Sequence, residues 1–127
     1  MAGPNQIVDY KDLDVWKFAM DLSERCYLLT KQYPKDEVYG LTSQIRRASV
    51  SVAANIAEGY GRDQTGQFIQ FLRIAQGSAK ELETLLLVAD RVKMPNEVSG
   101  GDPRPLCQTV CKMLRSLIRS LEAKRSR

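Results

Sequence analysis

The chain has no histidine among its 127 residues. That absence removes the usual general base, every histidine-based triad and the commonest metal ligand. Cysteine is scarce: Cys26, Cys107 and Cys111 form an odd set, which argues against a disulfide framework and for small buried hydrophobes. No run of eighteen apolar residues occurs, and the N-terminus lacks the basic, apolar and small-residue pattern of a leader. The expectation is a cytoplasmic protein with no membrane span. The GYGR at Gly59 to Arg62 has no second glycine at phosphate-loop spacing and follows no strand. Cys107 and Cys111, with no histidine and one further cysteine, make a poor metal site. Glu81 and Glu83 lie on different helix faces and lack the Glu-x-x-His partner of carboxylate metal bundles. No catalytic constellation emerges, and neither enzyme activity nor a cofactor is expected.

With 43% hydrophobic residues the chain is one domain's worth of protein and can bury a core. Its centre is Ser43 to Arg62, SQIRRASVSVAANIAEGYGR. At about 100° per residue Ile45, Ala48, Val52 and Ile56 share one stripe, the buried face of an amphipathic helix. The opposite surface is unusual. Arg46 and Arg47 are the only charges between Ser43 and Ala57, and Ser49, Val50, Ser51, Ala53, Ala54 and Ala57 fill the rest. A helix that is small or apolar all round is usually buried in a larger assembly, so a second partner is expected here.

Helical spacing continues on either side. Helix one runs over about 13–31, capped by Asp12 or Asp14, with a core stripe of Val15, Phe18, Ala19, Leu22, Cys26 and Leu29. Trp16, Met20 and Tyr27 form a second line, read either as an over-wide core face or as contact with another subunit. After Tyr33-Pro34-Lys35-Asp36, helix two spans about 37–60, with Gly40 in its first turn and Gly59 and Gly61 closing it by a left-handed turn. Helix three, about 65–92, starts at Asp63 or Thr65 and carries Phe68, Phe71, Leu72, Ala75, Ala79, Leu82, Leu86 and Ala89 on one face. Its flank shows Ile74, Ser78, Leu85 and Val88, interrupted by Glu81, beside Gly77. Lys93 to Asp102 is the longest loop and the segment expected to be disordered. Asp102-Pro103 caps helix four, about 103–124, whose core stripe is Leu106, Val110, Met113, Leu114, Leu117, Ile118 and Leu121. Residues 1–11 read as a loose arm. Short links favour antiparallel neighbours, which predicts an all-α, up-down-up-down four-helix bundle. Surplus apolar or small surface on three helices predicts self-association, with Trp16, Met20, Arg46, Arg47, Val50, Ala54, Glu58, Ile74, Gly77, Glu81 and Leu85 as interface candidates.

The net charge of +4 is unevenly placed. From Arg104 to Arg127 seven Lys or Arg meet one acid, a net +6, while the remainder is net −2. Lys112, Arg115 and Arg119 recur opposite the helix-four core, and Lys124, Arg125 and Arg127 extend them. Such a stripe is either a solvated face or, repeated around an oligomer, a ring of positive potential that holds phosphates. No aromatic is interleaved to stack a base, so backbone or shape recognition is expected. Arg46 and Arg47 read as partners of acids within or between subunits, with Arg47–Glu81 the specific candidate and Glu58 and Glu83 as other acceptors. The alternative places one arginine on a phosphate. Asn55 and Tyr60 read as structural hydrogen-bonders.

Three blocks also carry a family resemblance: DLDVWKFAMDL from Asp12 to Leu22, the Ser43–Arg62 stretch, and FIQFLRIAQGSAKELETLL from Phe68 to Leu86. Together they resemble the four-helix-bundle family of proteins encoded by intervening sequences of bacterial 23S ribosomal RNA genes (S23-like). A related branch is the accessory variability determinant of diversity-generating retroelements. The similarity covers about three quarters of the chain and fades after Val92. Ala53 stands where members often have proline. The resemblance implies a closed homopentamer and a non-enzymatic scaffold for RNA or DNA, with a reverse transcriptase as partner in the retroelement branch. The competing expectation is an oligomeric protein-interaction module without nucleic acid; a weaker one is a small-ligand site at subunit boundaries.

Overall fold

A computed structural model of the protein describes residues 6–125. Four α-helices carry most of them: α1 (Asp14–Thr30), α2 (Leu41–Tyr60), α3 (Thr65–Arg91) and α4 (Pro103–Arg125), with no strand among the described residues. Burial follows the helical spacing. Val15, Ala19, Leu22, Cys26 and Leu29 of α1 meet Ile45, Ala48, Val52 and Ile56 of α2 in one core. Leu72, Ala75, Ala79, Leu82, Leu86 and Ala89 of α3 join Val110, Leu114 and Ile118 of α4 in the same cluster. Leu22, Leu29, Leu72, Leu82 and Leu114 are fully buried. Each such leucine contributes about 1.5–3 kcal/mol by leaving water. α1 packs on α2 and α4, and α3 packs on α2 and α4, while among the described residues no Cα atoms of the diagonal pairs α1–α3 and α2–α4 come within 8 Å. The α2–α3 interface is the most extensive.

Its closeness has a local cause in Gly59. A Cβ on that residue would lie 2.5 Å from Phe71 Cβ and 3.2 Å from the Phe68 ring, so α3 reaches α2 there only because the side chain is missing. α2 does end here, at Tyr60, but Gly59 is its penultimate residue and not a left-handed closing turn. Gly61 is right-handed (φ −70°), and Asp63 supplies the left-handed turn (φ 58°). Phe68 and Phe71 are half-buried over this junction, Phe68 edge-on to Tyr60. The buried residue at the start of α3 is Ile69.

Other boundaries differ from the sequence expectation for physical reasons. α2 begins at Leu41, not at residue 37, because Lys35–Glu37 closes as a 3-10 turn and the Glu37 carboxylate accepts the Leu41 N–H at 3.1 Å. Asp12 does not cap α1; its carboxylate accepts the N–H groups of Val8 and Asp9, each at 3.0 Å. That arrangement tightens Tyr10–Asp12 into a 3-10 turn packed against α1 and α2, so the end of the expected loose arm is docked while Ile7 and Val8 stay exposed. Trp16 meets Tyr10 edge-on there. Phe18 is exposed, off the core stripe.

Asp102 and Pro103 do open α4, with Asp102 Oδ1 accepting the Arg104 N–H at 2.9 Å. The loop before them is pinned rather than loose. Asn96 donates to Asp90 Oδ1 at 2.8 Å, Gln32 donates to the Glu97 carbonyl at 3.1 Å, and Met94 and Val98 pack on the core. All three cysteines are free and buried.

Candidate nucleic-acid interface

Between α3 and α4 the surface opens into a groove of about 300 Å³. From α3 come Gln76, Lys80 and Glu83; from α4 come Gln108, Cys111, Lys112 and Arg115. The register follows from contacts at two levels. Cys107 Sγ donates to the Ala79 carbonyl at 3.4 Å inside the seam, and Arg73 pairs with Glu122 at its rim. Ala75 and Ala79 bury against the core, which leaves their neighbours Gln76 and Lys80 on the groove wall. Lys80 reaches Glu83 at 3.4 Å, an exposed i,i+3 pair that holds the ammonium loosely.

Three cations against one carboxylate make this groove electropositive, and two glutamines add neutral donors and acceptors. Arg119, Lys124 and Arg125 are exposed further along α4. The Arg125 guanidinium lies 3.0 Å from the point where Gly66 would carry a Cβ, so this residue is drawn toward the start of α3. Arg127 lies outside the described residues. The charge stripe expected on α4 is thus exposed, but its deepest part is shared with α3. Lys80, Gln76 and Gln108 escape a reading of α4 alone; the signal for them lies in the α3–α4 register.

A different surface lies on the outside of α2 and the adjoining flank of α3. Val50 is 45% and Ile74 48% exposed, and Ala54 and Gly77 lie open beside them. Gly77 has nothing within 4 Å of a built Cβ. Arg47, Glu58, Glu81 and Met20 are exposed as well, whereas Trp16 and Leu85 are half-buried and pack on the chain's own core. Beneath this face Ser51 and Ser78 share a hydrogen bond of 2.8 Å across α2–α3, and Asn55 donates to the Ser51 carbonyl at 2.8 Å.

The arginine pair separates. Arg46 donates through Nε to Thr30 Oγ1 at 2.8 Å and stacks over the Tyr27 ring at 4.6 Å, so its partners are a hydroxyl and an aromatic face on α1 rather than an acid. No Arg47–Glu81 ion pair forms among the described residues: Glu58 binds Arg62 at 2.8 Å and Glu83 binds Lys80.

The described residues contain no cluster of His, Cys, Asp and Glu able to hold a metal ion, and none of their helices is long and apolar enough to cross a membrane. No curated protein matches the sequence. Among solved structures, a Bacteroides thetaiotaomicron protein of unknown function, described as from the S23 ribosomal protein family, shares the fold with a TM-score of 0.68. It is 24% identical, over 82% of this chain and 97% of that one. The model of the family described as "23S rRNA-intervening sequence protein" matches residues 11–116. That span takes in all three sequence blocks, the α2 face and every lining residue of the α3–α4 groove, and the chain therefore belongs to the 23S rRNA-intervening sequence protein family.

Proposed function

We propose that the protein is a non-enzymatic, self-associating helical scaffold that binds the phosphate backbone of structured RNA or DNA through the α3–α4 groove. The observation that carries this reading is the convergence of Lys80, Lys112 and Arg115 on one groove, with Arg119 next along α4. Lysine and arginine in such a groove meet phosphate without needing a base-specific contact. In this reading the helices run up-down-up-down, the α2 face joins copies of the chain into a ring, and five copies is the number the family resemblance implies. The rings would gather the grooves into one larger positive surface, and a reverse transcriptase is the protein partner to test first.

The exposed Val50 and Ile74 favour a second reading, a protein-interaction module in which the basic stripe only keeps the protein soluble. Fluorescence anisotropy of a labelled structured RNA and the matching DNA, titrated with protein across a salt series, separates the two. Nucleic-acid binding should weaken steeply with salt, and replacing Lys80, Lys112 and Arg115 together by alanine should reduce the log–log salt slope by about 2–3. Failure to bind at low salt would reject the first reading. An unchanged slope in the triple variant would move the contact off this groove.

A further inference from the structure

Three thiols in one small domain provide an internal comparison. Cys26 and Cys107 are completely buried, at 0% exposure, whereas Cys111 is 8% exposed and forms part of the wall of the α3–α4 groove. Lys80 and Glu83 face that groove from α3, and Lys112 and Arg115 face it from α4. Cys107 sits one helical turn before Cys111, with its own S–H directed at the Ala79 carbonyl. A thiol has one proton. When Cys111 ionises, the Cys107 proton can turn from that carbonyl to the Cys111 sulfur.

The electrostatics agree with this geometry. A hydrogen bond from Cys107, aided by the Lys80 charge, lowers the Cys111 thiol against the opposing effects of burial and Glu83. The same hydrogen bond, together with burial, pushes Cys107 up, and burial alone pushes Cys26 up to about 12. The nucleophile is the thiolate, so the three thiols should differ sharply in reactivity.

We propose that Cys111 is a modification site for small disulfides that carry negative charge, which the groove gathers through Lys80, Lys112 and Arg115. The Cys111 thiolate attacks one sulfur of the incoming disulfide. A new S–S bond forms to Cys111 as the old one breaks, and its electron pair leaves on the second sulfur, which departs as a thiolate and is protonated by water. The protein thiol is oxidised and half of the reagent is reduced, so no other oxidant is required. Cys107 remains a buried thiol hydrogen-bonded within the seam, and the product is a mixed disulfide at Cys111. The modification places negative charge in the groove and should oppose any anion bound there. The proposal itself does not depend on nucleic-acid binding.

The test uses the intact folded chain with two disulfides of opposite charge, dithiobis(nitrobenzoate) and cystamine, each in excess at low ionic strength. One equivalent should react fast, and peptide mass spectrometry should place it on Cys111. The dianionic reagent should outpace the dicationic one by about tenfold or more after correction for their rates with a free thiol, a preference that salt erodes. Cys111→Ser should abolish the fast equivalent. Lys112→Ala with Arg115→Ala, both exposed positions, should shrink the charge preference while circular dichroism stays unchanged. A fast equivalent on Cys26 or Cys107, reaction of all three thiols at one slow rate, or equal corrected rates for the two reagents would each overturn the proposal.

Discussion

The two seams of α3 differ in what lines them, and so in what their outer surfaces offer. Against α2, small residues bring the helices together: Gly59 admits Phe71, and Ser51 and Ser78 meet at 2.8 Å. The surface above carries Val50, Ala54, Ile74 and Gly77 in the open, with Arg47, Glu58 and Glu81 exposed among them. Against α4, long side chains line the rim, and the seam splays into a groove of about 300 Å³ with Lys80, Lys112 and Arg115 on its walls. One helix thus separates an apolar surface suited to another protein from a cationic one suited to phosphate. The two surfaces draw on different residues of α3, Ile74 and Gly77 on one side and Gln76, Lys80 and Glu83 on the other, so they do not compete for the same side chains.

The most drastic way to break this contrast is to give the first surface the character of the second. Ala54→Glu puts a carboxylate in the middle of the α2 face. Ala54 is exposed in the single chain, so its fold should survive within about 0.5 kcal/mol, as surface substitutions usually do. If copies associate through this face, each contact would instead bury an unpaired charge, and the assembly should fall to monomers in sedimentation velocity. An assembly of unchanged mass would remove α2 from the interface.

A smaller effect should come from opening the tight seam. Gly59→Ala gains about 1 kcal/mol of helix propensity but drives a Cβ to 2.5 Å from Phe71 Cβ, which forces backbone movement. The overpacking should win, and urea unfolding should show a net loss of about 1–3 kcal/mol. Gly77→Ala is the matched control: with nothing within 4 Å, propensity alone should stabilise the single chain by about 0.5–1 kcal/mol. Equal responses from the two glycines would mean that close approach is not what distinguishes the seams.

Much of this architecture was legible in the residues because spacing along one helix fixes which positions share a face. The core stripes of Ile45, Ala48, Val52 and Ile56, and of Leu72 through Ala89, stand as read, as do the Asp102-Pro103 start and the buried thiols. What was not legible depends on the distance between helices. Gly59 marks the end of α2 as its sequence suggests, but the reason a side chain is missing there, Phe71 pressed against it, belongs to α3. Phe18 fits the α1 stripe by angle, yet lies at its edge and stays 39% exposed. Arg46 invited an acid and found Thr30 and Tyr27, because the side chain leans toward α1 rather than α3. Lys80 belongs to the groove only through the register of α3 on α4, which no single helix's pattern contains.

The gentlest perturbation acts on the splayed seam, at the end where α4 begins. Arg104 joins Asp102 beside it to Asp90 of α3, the latter at 3.4 Å, so this cluster ties the start of α4 to the end of α3. Burial alone would raise the Asp102 carboxyl, but the Arg104 hydrogen bonds and charge outweigh it and hold the group below the usual carboxylate range. A carboxyl depressed in the folded state contributes stability that is fully present above its unfolded value of about 3.9 and is lost as pH falls through its folded value. Asp102→Ala should therefore cost about 0.5–2 kcal/mol at neutral pH, the range for losing a helix cap. It should also flatten the fall of melting temperature below about pH 4, because the variant has no such proton to take up. Asp102→Asn retains the cap and should cost less at neutral pH while flattening the acid limb equally. If both variants lose melting temperature in acid as steeply as the parent, the tie between α3 and α4 rests on the apolar contacts beneath Arg104. The groove would then be held open by packing rather than by charge.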